Sequence, residues 1–184
     1  MELGTATQLI TRLIILWLLS ERPLHGYRIK RILADVALRH WFPIETGSIY
    51  SVLKTLAAAG LVETEIVERE GQRPERTQFR ITQAGREHYR ELLRRAWTEV
   101  GRSSESFHLA LAARSDLDES EIPELLAIRV KSLRQRISEL EMASNSAPAL
   151  AMVEHSRALT LADLTWTESE LEKLNNRGAT TSDI

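Results

Sequence analysis

The sequence predicts a mainly α-helical protein with one small β-hairpin, in which a basic N-terminal half precedes an acidic C-terminal half. Its 184 residues include 8 Gly and 5 Pro, and 43% are hydrophobic, which is enough apolar material for a core. Residues 1–95 hold 15 Lys and Arg against 11 Asp and Glu, whereas residues 96–184 hold 9 against 15. The N-terminal half is therefore the candidate for contact with a polyanion, and the C-terminal half for contacts with protein.

Three short helices are predicted in the first sixty residues. Residues 6–20 are apolar almost all round, which is typical of a helix covered on several sides. A second helix is predicted from about residue 25 to residue 38, and Pro43 lies in the connection that follows it. The third helix spans residues 47–60. Three short helices in this order have the outline of a helix-turn-helix.

The third helix, GSIYSVLKTLAAAG, has an apolar side and a polar side. The apolar residues recur at steps of three and four: Ile49, Val52, Leu53 and Leu56. The opposite side offers hydroxyl groups, a phenol and a cation, which suit phosphates and base edges: Ser48, Tyr50, Ser51 and Lys54. A solvated amphipathic helix is the alternative interpretation of this stretch taken alone.

A β-hairpin is predicted after the third helix. Residues 61–67 and 77–81 are rich in β-formers, and the polar segment between them contains Gly and Pro. Arg73 and Arg76 lie in this charged tip and are candidates for contact with phosphates. A solvated hairpin is the alternative, because three glutamates lie in the same segment.

The C-terminal half is predicted to be helical. Thr82 is a suitable N-cap for a bridging helix over residues 82–113, with a kink or break near Gly101. Two further helices, one of which has apolar residues at coiled-coil spacing, are predicted to form a helical hairpin over residues 116–175. Residues 176–184 are small and polar, so a disordered tail is expected there.

Several linked motifs of the N-terminal half resemble the PadR family of transcriptional regulators. In order along residues 9–95 they are Pro23-Leu24-His25-Gly26-Tyr27, Gly47-Ser48-Ile49-Tyr50, Gly60-Leu61-Val62, Arg73-Pro74-Glu75-Arg76 and Ile81-Thr82. The resemblance implies a winged helix-turn-helix DNA-binding domain over residues 1–95, with residues 47–60 as the recognition helix and the hairpin as the wing. It also adds Tyr27 and Lys30 to the candidate DNA contacts.

The helical hairpin is similar to the C-terminal dimerisation region of the longer PadR-type regulators. This similarity implies a homodimer that binds double-stranded DNA at a pseudo-palindromic operator. Repression is the expected mode of action, with activation left open. A small aromatic effector near the dimer interface is also implied, and Trp97 and Phe107 are the candidate contacts. A place in the core is the alternative for both rings.

Other chemistry has little support in the sequence. There is no cysteine, the five histidines stand singly, and no HExxH motif or phosphate-binding loop occurs, so no enzyme, metal or cofactor is expected. The longest apolar run, residues 13–19, is far shorter than the roughly 20 residues that span a bilayer. A cytoplasmic location is therefore expected. The alternative functions are a protein-interaction adaptor and, with less support, a small hydrolase.

Overall fold

The chain divides into two compact units that share two helices. The first contains Met1–Leu93 and His108–Ala113, and the second contains Arg94–Phe107 and Arg114–Ile184. The computed structural model describes residues 6–35, 40–42, 49–67, 76–101, 104–144 and 150–181. Each unit is described by itself below.

The first unit is a winged helix-turn-helix domain, as the sequence predicts. Its helices and strands follow in the order α1 (Ala6–Glu21), β1 (Leu24–His25), α2 (Gly26–Leu33), α3 (Ile49–Ala58), β2 (Val62–Val67), β3 (Arg76–Ile81) and the first part of α4 (Gln83–Thr98). The three predicted helices and the hairpin are thus confirmed. The β-hairpin forms the wing.

The wing belongs to a three-stranded antiparallel sheet with the order β1-β3-β2. Strands β2 and β3 pair from Val62 opposite Ile81 to Val67 opposite Arg76. Strand β1 is only two residues long and places Leu24 opposite Phe79. Strand β1 was not predicted, because two residues after a proline are too few to show an alternating pattern.

Helix α1 lies in the core of the first unit, as predicted. Its side chains are buried on several sides, and those of α2 and α3 are buried on one side. The aliphatic side chains of these three helices with 2% exposure or less are Ile10, Leu13, Ile14, Ile15, Leu16, Leu19, Ile29, Leu33, Ile49, Leu53 and Leu56. Burial of this many aliphatic side chains supplies the main favourable free energy for holding α3 in place.

Helix α2 is shorter than predicted. It ends at Leu33 rather than at residue 38, because the amide of Asp35 donates to the carbonyl of Ile32, and such a tight turn closes a helix. Residues 36–39 and 43–48 lie outside the described residues. Ser48, one of the predicted contacts, is therefore not placed.

The segment predicted as a bridging helix over residues 82–113 forms two helices. The chain forms α4 (Gln83–Thr98) and then α5 (Ser104–Ala112). Gly101 has a φ of 93° between them, a conformation that favours glycine and interrupts a right-handed helix. The interruption lies where the sequence allowed a kink or break. The predicted N-cap is confirmed, since the Gly85 amide donates to the Thr82 hydroxyl at 3.0 Å.

The second unit contains a helical hairpin of α6 (Ile122–Ser144) and α7 (Leu150–Thr181), preceded by a 3₁₀ turn at Arg114–Asp116. Helix α7 continues past its predicted end at residue 174. The disordered tail predicted for residues 176–184 is thus corrected over 176–181, where no proline stops the helix. Residues 182–184 lie outside the described residues.

Candidate nucleic-acid interface

Helix α3 buries one side and exposes the other. Its exposed residues include Tyr50, Ser51 and Lys54, each predicted as a contact, while Ile49 and Leu53 are almost fully buried. Because the apolar side is anchored in the core, the polar side is presented by a rigid helix rather than by a loop. A phenol, a hydroxyl and an ammonium group on one helix face are donors that match phosphate and base-edge acceptors.

Packing against a glycine positions the Tyr50 ring. A methyl group added at Gly26 would lie 2.8 Å from Cε1 of Tyr50 and 3.2 Å from Cε2 of Phe79. Such a short distance means that both rings come to the backbone of Gly26 as closely as a glycine allows. The first residue of α2 therefore fixes where the first turn of α3 holds its phenol.

Two further predicted contacts lie on α2. The side chains of Tyr27 and Lys30 are exposed. Lys30 and Lys54 form no ion pair with any described residue. An ammonium group without a carboxylate partner keeps its full charge for an anionic ligand.

The C-terminal end of α3 is tied to the start of α4. The Thr82 hydroxyl donates to the carbonyl of Gly60 at 2.8 Å, and the Thr82 amide donates to the carbonyl of Leu61 at 3.1 Å. Gly85 packs so closely on Leu61 that an added methyl group would collide with the Leu61 carbonyl oxygen. These contacts fix the angle at which the chain leaves α3 and enters the wing.

The described part of the wing is largely neutralised within itself. Arg80 on β3 pairs with Glu63 at 3.6 Å and with Glu65 at 3.2 Å, both on the adjacent strand. Arg76 begins β3, but its side chain is not described, and Arg73 lies outside the described residues. The contacts predicted for Arg73 and Arg76 therefore stay predictions.

Trp97 and Phe107, the candidate effector contacts, touch each other in the second unit. Their rings meet edge to face with centroids 5.5 Å apart, and Phe107 meets Trp166 in the same way at 5.7 Å. Trp97 is fully buried and Phe107 nearly so, while Trp166 is exposed. The two candidates thus fill this position as an aromatic core, and their role towards an effector stays a prediction.

A buried arginine completes this aromatic cluster. The guanidinium of Arg129 lies 3.6 Å from the centroid of the Phe107 ring, donates to the Glu99 carbonyl at 2.9 Å and pairs with Asp163 at 2.5 Å. Burial lowers the pKa of Arg129, and the Asp163 carboxylate opposes that shift. The Arg129 side chain is only 4% exposed.

The sequence also passed over His25 and Gly85. His25 was treated as a lone histidine, and its position near Tyr27 in the chain is the one available signal. Nothing local to Gly85 shows that Leu61 approaches it. Both roles come from residues distant in sequence.

Sites for other chemistry are not evident in the part of the chain that the structure covers. Within it, no group of three or more His, Asp or Glu side chains is arranged to hold a metal ion. No described helix combines the length and the apolar character needed to cross a membrane. The exposed polar face formed by α2 and α3 is therefore the candidate site with the most support.

The model of the Transcriptional regulator PadR-like family matches residues 15–91. No curated protein sequence matches the chain.

The solved structures that are similar to this chain include the following three. PadR of Bacillus subtilis in complex with operator DNA is 20% identical, with 89% of this chain and 98% of that chain covered and a TM-score of 0.43. The same protein in complex with p-coumaric acid is 18% identical, with coverages of 94% and 99% and a TM-score of 0.42. The virulence activator AphA of Vibrio cholerae is 20% identical, with coverages of 91% and 99% and a TM-score of 0.37.

Proposed function

We propose that this protein is a transcriptional regulator of the PadR type that binds double-stranded DNA through α2 and α3, since residues 15–91 match the model of that family. The observation that carries the proposal is the exposed face of α3, with Tyr50, Ser51 and Lys54 side by side on a helix whose other side is buried. Lys54 supplies charge for a phosphate, and the hydroxyl groups supply hydrogen bonds to phosphates or base edges. A regulator of this kind acts where the DNA is, so we propose that the protein is located in the cytoplasm.

The regulator is proposed to act as a homodimer joined through its C-terminal helices. Large apolar side chains of α6 and α7 remain exposed in the single chain: Ile128, Met142, Leu150, Met152, Leu159, Leu161 and Trp166. Apolar surface of this kind is more stable when a partner covers it. In a dimer, two recognition helices about 34–36 Å apart would enter successive major grooves of a pseudo-palindromic operator.

Repression, relieved by a small aromatic effector, is the proposed mode of regulation. An effector changes DNA affinity only if it binds one arrangement of the two DNA-binding domains better than another. Trp97 and Phe107 are the proposed contacts, and an aromatic ligand would have to replace the edge-to-face contact between them. Exposed Trp166 gives this cluster a side that reaches the surface.

Selection of genomic DNA fragments by the purified protein tests the proposal. Fragments that share a palindromic sequence would identify the operator, and fluorescence anisotropy on a duplex of that sequence would then measure affinity against salt. Lys54→Ala should weaken binding and reduce the slope of log affinity against log salt by about one unit, because one phosphate contact is lost.

Lys131→Ala is the matched control, since it removes an exposed lysine from α6 without touching α3. Equal loss of affinity in both variants would show that α3 is not the contact. An adaptor that binds protein, the alternative function, would select no common sequence and show little salt dependence.

A further inference from the structure

A small cleft opens beside the exposed face of α3. Its volume is about 290 Å³, and its lining residues are His25, Gly26, Tyr27, Tyr50, Thr77 and Phe79. Three aromatic rings give it apolar walls, and an imidazole and hydroxyl groups give it polar atoms. The volume lies at the lower end of the range for ligand pockets, which suits a group such as one sugar and its phosphate.

The side chains around this cleft are held in place. The rings of His25 and Tyr27 stack with centroids 6.0 Å apart and an angle of 18° between their planes. Tyr50 and Phe79 both pack against the backbone of Gly26, where a methyl group would have no room beside Tyr50. A cleft whose walls are already packed loses little conformational entropy on filling.

One hydrogen bond defines the proton on His25. Its Nδ1 lies 3.3 Å from the carbonyl oxygen of Thr77. A carbonyl oxygen only accepts, so Nδ1 carries the proton of this bond. In the neutral imidazole Nε2 is then an acceptor, and it becomes a donor only when the ring takes up a second proton.

No described charged side chain competes for His25 inside the cleft. Helix α2 contributes Tyr27, helix α3 contributes Tyr50, and strand β3 contributes Thr77 and Phe79. The polar neighbours of the imidazole in the cleft are thus two phenols and one hydroxyl group. An anion entering the cleft would be the partner of the imidazolium.

We propose that this cleft holds one backbone phosphate of bound DNA together with its sugar, and that His25 donates to the phosphate from Nε2. The proposal rests on the proposed function, since it needs α3 to lie on DNA. Phosphate oxygens only accept, so His25 binds as an imidazolium. DNA binding is therefore coupled to the uptake of one proton at His25, and operator affinity rises as the pH falls.

Anisotropy on the selected operator duplex, at about pH 8 and about pH 6 and constant ionic strength, measures this coupling. The full-length wild type should bind roughly tenfold more tightly at the lower pH. His25→Asn keeps a donor for the Thr77 carbonyl and removes Nε2, so most of the pH dependence should vanish. His108→Asn removes an exposed imidazole elsewhere in the first unit and should keep the wild-type response.

A second measurement uses the wild-type protein alone. Operator duplexes that each carry a single uncharged methylphosphonate linkage are compared at both pH values. Neutralising the linkage held in the cleft should remove the pH dependence, whereas the other linkages should leave it. This result does not depend on how well a variant folds.

The outcomes separate this inference from the proposed function. Wild-type protein that binds the operator with a pH dependence unaffected by His25→Asn and by every single methylphosphonate overturns the cleft and leaves the regulator. Wild-type protein that selects no DNA overturns both.

Discussion

Helices α3 and α7 divide their apolar residues between core and surface in opposite ways. Helix α3 buries Ile49, Leu53 and Leu56 within its own chain, and no large aliphatic side chain of this helix is exposed. Helix α7 leaves Met152 66% exposed and Leu159 60% exposed. Helix α3 therefore presents a polar surface that suits a polar ligand. Helix α7 presents apolar surface whose exposure to water is unfavourable.

The charges of the two regions differ as well. Lys30 and Lys54 have no ion-pair partner among the described residues, whereas Arg94, Arg114 and Arg129 of the second unit are each paired with a carboxylate. The contact with Arg94 lowers the pKa of Glu121, so the stabilisation from that pair is present above the ordinary glutamate pKa and is lost as the pH falls through the lowered value. The paired arginines of the second unit therefore help to hold its helices together, whereas Lys30 and Lys54 of the first unit are available for an anionic ligand.

The largest effect on stability is expected from Gly85→Ala, which disrupts the packing of α4 against Leu61, just after α3. The new methyl group would collide with the Leu61 carbonyl oxygen, so α4 must move. The hydrogen bond from the Thr82 amide to the Leu61 carbonyl is then weakened. We expect a loss of about 3 kcal/mol in the free energy of unfolding, measured by chemical denaturation.

Gly60→Ala is the control for that substitution. Nothing lies within 4 Å of a methyl group at Gly60, but its φ of 70° strains any other residue. Its cost should be about 1 kcal/mol. Equal costs for the two glycines would mean that the approach of Leu61 is not what anchors α3.

A smaller loss is expected from Arg129→Ala in the second unit. The change leaves the Glu99 carbonyl without its donor and the partly exposed Asp163 carboxylate without its cation. Since Asp163 is 32% exposed, water offsets part of the penalty, and about 2 kcal/mol of unfolding free energy should be lost.

Arg134→Ala removes the comparable pair with Glu168, which spans the same two helices at 2.6 Å but is open to solvent. Its cost should stay below about 1 kcal/mol. If Arg134 matters as much as Arg129, burial is not the source of the difference between the two pairs.

The smallest effect on folding, with a large effect on assembly, is expected from Leu159→Glu. The side chain is exposed in the single chain, so folding stability should change by roughly 0.5 kcal/mol or less. A charge on the apolar face of α7 should nevertheless shift the protein from dimer to monomer in light scattering at fixed concentration.

Ser138→Glu adds the same charge to an exposed polar position of α6 and should leave the dimer intact. A Leu159→Glu protein that remained dimeric would remove the α7 face from the proposed interface. The contrast between α3 and α7 would then lose its functional meaning.

Much of the fold was predictable because its signals are local. Apolar residues at steps of three and four mark α1, α3 and α6, and Thr82 marks the start of α4. Gly101 marks the break after α4. The exposed side of α3 followed from the same periodicity, since identifying the buried residues also identifies those outside. Three residues of the candidate site could be predicted in this way: Tyr50, Ser51 and Lys54.

The sequence by itself determined the main helices, the two strands of the hairpin and which side of α3 is polar, because those properties depend on neighbours within about one helical turn. Only the tertiary structure decided that Arg129 is buried against Asp163, that Gly85 must be a glycine, and that His25 faces a cleft with Tyr50. Each of these depends on a contact between residues at least two dozen positions apart. No local periodicity carries that information, since it arises only when distant elements pack together.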